Sequence, residues 1–311
     1  MPSSAPISNS QTPPTIDPVA AQRWHHAAIP SARPIVSPWL HEEVARRMEP
    51  RLEWIRQAPA SWCHWDPVRG GLQAHALLRQ RYPQAQCYIT ETAPQRQATA
   101  QQALTPPWWS AARWTGAAQQ FGPPADGAVQ MLWANMALHM HPQPQELLAQ
   151  WQRALAVDGY LMFSCLGPDT LRQLRPLYAA LGWPPLSHDY TDMHDWGDML
   201  VHTGFAEPVM DMERITLTFA SPERLLQELR ELGRNLHPQR FAGLRGRRWH
   251  SQLLAQLQTL AQAPENGALA LTFEIIYGHA FKPAPRLRVA AESAVSLQDM
   301  RAMLRGSPSP R

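Results

Sequence analysis

Four short stretches of the chain carry side chains whose types and spacing could do chemistry. The first, His64-Trp65-Asp66-Pro67-Val68-Arg69-Gly70-Gly71, sets an acid and a glycine pair directly after an apolar run. Glycines at such a point let the backbone approach a nucleotide-type ligand closely, because no Cβ intervenes, although a plain strand-to-helix turn uses the same residues. The second is Glu91 in Tyr-Ile-Thr-Glu-Thr. An acid there accepts two hydroxyl hydrogen bonds from a ribose diol, or is simply an exposed loop glutamate. In the third, Leu132 to His139, an apolar run breaks directly into Asn135, whose amide either faces a ligand or caps the next helix. The fourth, Gly167-Pro168-Asp169-Thr170, reads as a turn with a helix cap. His139 with His141, and His194 with Asp195 and Asp198, have partial metal-ligand spacing without a third ligand nearby, so no metal is expected.

These stretches need a scaffold that brings strand ends together. Leu40, Val44, Met48, Leu52 and Ile55 repeat every three to four residues and predict an amphipathic helix over 38–56. Apolar runs at 61–65, 86–90, 128–133 and 160–165 read as strands, alternating with helical stretches at 72–82, 94–104, 144–156 (closed by Asp158-Gly159) and 168–181. Such alternation means βαβ units and a parallel sheet, with ligands at the carboxyl ends of its strands. A helix follows at 192–204, then a long half-exposed strand at 208–219. Ser221-Pro222-Glu223 opens a helical insert over 221–263, with Ser221 as N-cap and Pro222 at the first helical position. Asn266-Gly267 turns the chain into a last strand at 268–279, which closes the sheet as an antiparallel pair with its predecessor.

Proline crowds the two ends, so residues 1–36 read as a disordered Pro/Ser-rich tail and 284–311 as a loosely ordered one, leaving a single folded domain at 37–283. No run approaches the roughly 18 apolar residues of a membrane helix and no signal-peptide pattern opens the chain, which predicts a cytoplasmic protein without a membrane partner. Cys63, Cys87 and Cys165 stand singly, as buried reduced thiols. Formal charge is +3, with Lys282 the sole lysine. Arg240, Arg245, Arg247 and Arg248, interleaved with Phe241 and Trp249, read as a solvated helix start or as a docking patch for an acidic partner; a patch so local argues against nucleic acid.

Trp133 to His139, Met162 to Leu171, Asp192 to Met212 and Leu271 to Ala280 together resemble the malonyl-[acyl-carrier protein] O-methyltransferases of biotin synthesis, which are type 11, class I methyltransferases. The resemblance implies a Rossmann-like α/β fold, a seven-stranded mostly parallel sheet with helices on both faces and a C-terminal helical insert. It implies S-adenosyl-L-methionine over the strand ends and malonyl-loaded acyl carrier protein as the acceptor. By the same resemblance Glu91 is the ribose acid and Asn135 stands beside the methionyl group, while His64, Asp66, Gly70 and Gly71 occupy the cofactor loop. His139 and Arg234 become positioning candidates for the acceptor. The family's acid followed by Gly-x-Gly is replaced here by His64, Asp66, Pro67 and Val68, and Gly116-Ala117 stand where an adenine-contacting acid is usual. Two other readings stay open: a catalytically silent relative acting as a carrier-protein adaptor, and a relative of methyltransferases of respiratory-complex assembly, which residues 192–234 also resemble.

Overall fold

Short apolar runs form the strands of one mixed sheet. In a computed structural model describing residues 16–27, 36–106, 108–109, 118–261, 269–285 and 301, these are β1 (Ser61–Trp65), β2 (Gln86–Thr90), β3 (Gln119–Phe121), β4 (Val129–Ala134), β5 (Leu155–Leu166), β6 (Ala206–Phe219) and β7 (Leu269–Phe281). Their order is β3-β2-β1-β4-β5-β7-β6. The first five are parallel, and β7 runs antiparallel to both its neighbours. Strand order reverses between β1 and β4, which places the open ends of these strands at the switch point where ligands bind in such sheets.

Ten helices accompany these strands among the described residues: α1 (Pro18–His26), α2 (Trp39–Met48), α3 (Pro67–Gly70), α4 (Leu72–Arg81), α5 (Pro94–Leu104), α6 (Pro144–Ala154), α7 (Leu174–Ala180), α8 (Met193–Thr203), α9 (Pro222–Leu232) and α10 (Arg247–Ala261). The core is double. On one face of the sheet, α2, α4 and α10 pack Val44, Met48, Leu78 and Leu257 against Trp62, Tyr160 and Phe273. On the other, α6 and α8 pack Trp151 and Leu200 against Leu132 and Ile276. The two insert helices, α9 and α10, fall between β6 and β7, and Ser221 caps α9 by accepting from the Arg224 amide.

Several expectations are corrected. Residues 16–27 are not tail: Asp17 accepts hydrogen bonds from the Val19 and Ala20 amides, Pro18 starts α1, and Ala20 and Ala21 are buried against Met140 and Leu236. The rest of the two tails, apart from residues 36, 284, 285 and 301, lies outside the described residues, as do Gly116 and Ala117. The helix over 38–56 breaks at Pro50 into α2 and a 3-10 turn, Glu49–Trp54. The helix over 168–181 shrinks to α7, because 167–173 form turns tied to β7 through Gly167 N–H to Glu274 O and Leu171 N–H to Thr272 O. Asp158-Gly159 closes no helix. Asp158 takes φ 64° inside β5, where the register with β4 slips.

Candidate functional site

β1 ends in a turn that the two predicted glycines shape. Asp66 adopts a left-handed conformation (φ 48°), its amide bonded to Thr90 O at 2.7 Å, and the chain coils at once into α3. Gly71, at φ 131°, takes a backbone that other residues rarely reach. Gly70 provides the close approach, but toward the protein itself: a Cβ there would lie 2.7 Å from the Asn135 carbonyl oxygen. The loop is thus folded down on the end of β4.

Asn135 holds that closure. Its Nδ2 donates to His41 O at 2.8 Å and to Gly70 O, and its Oδ1 accepts from Ser164 Oγ at 2.6 Å. It neither caps a helix nor presents a free amide. His41, fully enclosed, donates from Nδ1 to Arg69 O at 2.7 Å, and burial holds its imidazole down to about 4, hence neutral.

Glu91 is not an exposed loop residue; its side chain is 1% exposed. Oε1 accepts the Val68 amide at 2.8 Å and Oε2 pairs with Arg96 Nε at 2.8 Å. Burial, then the neighbouring Asp66 carboxylate, push the Glu91 carboxyl up against the pull of Arg96. Asp66 accepts from the Thr92 amide and hydroxyl at 2.8 and 3.0 Å and sits 3.5 Å from Arg96 Nη2. His64 is placed elsewhere. Strand alternation turns it onto the face shared with Trp62, where its ring stacks on His75 of α4.

The expectations from sequence missed Arg96 and α1. Arg96 reaches from Glu91 and Asp66 to the carbonyl of His25, and Arg69 donates to Trp24 O at 2.7 Å while lying 3.6 Å over the Trp24 ring. Both guanidiniums therefore face the C-terminal, negative end of α1. Burial, then Arg96, lower the Arg69 guanidinium from its ordinary value. The signal for α1 was present as Asp17-Pro18, an N-cap followed by proline at the first helical position.

With α1 seated, the space for adenosylmethionine, the cofactor that the family resemblance implies, is closed. Asp66, Glu91 and Asn135 are already bonded to protein, and the cavity left among Trp24, His25, Asp66, Arg69 and Asn135 measures about 30 Å³. Pockets that hold drug-sized ligands run to roughly 300–1,000 Å³.

A second cavity is open. It spans about 320 Å³ beneath α9 and α10, walled by Leu166, Leu174, Tyr178, Leu229, Leu253 and Phe273, with His139, Arg230 and Arg234 among its polar lining. His139 sits in the turn after β4, its ring edge-on to Tyr190 and its Nδ1 buried without a partner among the described residues. Burial lowers its imidazole strongly, so it too is neutral. Arg234 is exposed at the end of α9, where Nη1 donates to Arg230 O at 2.5 Å and Gly233 O at 2.8 Å. Among the described residues no group of three or more His, Cys, Asp or Glu is placed to hold a metal, and no helix is long and apolar enough to cross a membrane.

Comparison with known proteins bears on the family and the fold. Residues 68–163 match a methyltransferase domain family. A malonyl-[acyl-carrier protein] O-methyltransferase of Laribacter hongkongensis is 38% identical over 256 residues, covering 80% of this chain and 84% of its own. The protein of that name from Gallionella capsiferriformans is 36% identical over 257 residues, covering 80% and 86%. A solved structure of a putative methyltransferase from Bacillus halodurans superposes with a TM-score of 0.51 at 12% identity, over 78% of this chain and all of that one, which speaks for the fold alone.

Proposed function

The chain belongs to the malonyl-[acyl-carrier protein] O-methyltransferase family, and from that premise we propose that it methylates the free carboxylate of malonyl-acyl carrier protein in the cytoplasm. S-adenosyl-L-methionine is the family's methyl donor. The observation that carries the acceptor side is the 320 Å³ apolar cavity under the insert, with arginines near its polar rim. Its walls suit a thioester-linked acyl arm, and its polar groups suit a carboxylate. Arg234 is the clamp in this reading: the carbonyls at the end of α9 orient one edge of its guanidinium, and the remaining N–H donors are left for the carboxylate. His139, neutral and buried, offers a hydrogen bond without adding charge. A malonyl carboxylate is ionised at pH 7 and is already a nucleophile, so the acceptor needs no general base, only position and exclusion of water.

The carrier protein is acidic, and the insert offers it a basic face. Arg247 and Arg248 open α10 on its exposed side, while Trp249 and His250 in the same turn line the cavity. Arg245 packs 3.9 Å over Phe241 and 4.5 Å over Trp249, which fixes its charge beside that turn. Arg240 is otherwise engaged, paired with Asp17 at 2.6 Å. Incubation with malonyl-loaded carrier protein and methyl-labelled adenosylmethionine tests the reading: label must appear in a base-labile ester that releases methanol. Retention of the unmodified acid with donor in excess overturns it.

A further inference from the structure

We propose that α1 is a built-in stopper of the cofactor site, so that its seating and the binding of adenosylmethionine exclude each other; this rests on the methyl donor of the reading above. Three observations converge. The polar groups that would receive the donor are all satisfied internally, Glu91 by Arg96 and the Val68 amide, Asp66 by Thr92 and Arg96, and Asn135 by Gly70, His41 and Ser164. What closes the remaining space is α1 itself, whose Trp24 and His25 carbonyls are held by Arg69 and Arg96 and whose Trp24 ring lies between Arg69 at 3.6 Å and Arg234 at 5.4 Å. Only about 30 Å³ is left between them.

The far end of α1 is fixed to the insert rather than to the strand ends. The Asp17 amide donates to Leu236 O at 2.8 Å, its carboxylate pairs with Arg240, and Ala21 is fully buried in the seam with Met140 and Leu236. Arg96 connects the two states. While it binds the end of α1 it also neutralises Glu91 and Asp66; once α1 leaves, its contact with the His25 carbonyl is lost and the two acids are no longer roofed over. Because Arg234 stands at the wall of the acyl cavity and over Trp24 together, and Arg240 of the insert is paired with Asp17, movement of α1 is coupled to the acceptor side.

The test uses the full chain. Ala21→Asp puts a charge into the α1 seam without touching Asp66, Glu91 or Asn135, and calorimetry with adenosylhomocysteine should show at least a tenfold gain in affinity over the unsubstituted chain. Trypsin cleavage after Arg23, an exposed α1 residue, supplies a second readout needing no substitution: adenosylhomocysteine should accelerate it. Equal affinity of the two chains, or protection of Arg23 by the ligand, overturns the stopper alone. No binding by either chain at millimolar ligand overturns the stopper together with the donor on which it rests.

Discussion

The two cavities at the strand ends differ in how they are finished. On the side of β1 and β2, every acid and amide suited to a nucleoside ligand is bonded to the chain's own groups, and the space is filled by two arginines and a helix end. On the side of the insert the walls are leucine, tyrosine and phenylalanine, and the space is open. Polar surface left bare in a buried site is costly, so a polar pocket collapses onto internal partners when it can, whereas an apolar pocket walled by stiff helices has nothing to collapse onto. One site is therefore formed in advance and the other must be released.

Acid should break the comparison most widely. His41 and His25 on the donor side and His188, which donates to His139 O on the acceptor side, are each lowered from 6.5 to about 4, chiefly by burial. The folded chain then binds fewer protons than the unfolded one, so stability is intact above pH 6.5 and is lost as pH falls toward 4. The loss should be on the order of several kcal/mol, read from urea midpoints across that range, and a flat profile would mean that these imidazoles are not held neutral. Glu91→Gln comes next. Burial and Asp66 push the Glu91 carboxyl up and Arg96 keeps Asp66 and Thr92 as partners, so the cost is that of weakened buried hydrogen bonds, about 1–3 kcal/mol in unfolding; a loss under about 1 kcal/mol would show that the donor side is looser than its bonds imply. Leu229→Phe, in the open cavity, should alter stability by no more than about 1 kcal/mol, because the added ring has room. Its signature is instead a tenfold or greater drop in kcat/KM for the malonyl carrier protein, and unchanged turnover would move the acyl arm out of this cavity.

The alternation of strands and helices is legible from periodicity, and the cap Ser221 stands where the sequence places it. Glu91 and Asn135 are legible as strand-end residues. Their partners are not, because Arg96 and Ser164 meet them only through the register of β2 against its helix and of β4 against β5, which no local pattern encodes. His64 shows the same blindness to direction: its place after an apolar run is readable, but a one-residue step decides which face it joins. α1 was hidden by composition, since the prolines that surround it outweighed one well-formed cap.

The hairpin of β6 and β7 has a consequence for how such enzymes diversify. Phe219 and Leu269, at the two ends of the insert, are register partners on adjacent strands, so they stand one interstrand spacing apart, roughly 5 Å. Twelve paired positions hold that ladder without help from the residues between. The closure penalty of the intervening segment grows only with the logarithm of its length. The hairpin is therefore a socket: residues 222–261 can be lengthened or shortened without unpairing its strands, but because α10 supplies part of the core and Leu236 and Arg240 seat α1, a change there also reaches the donor face.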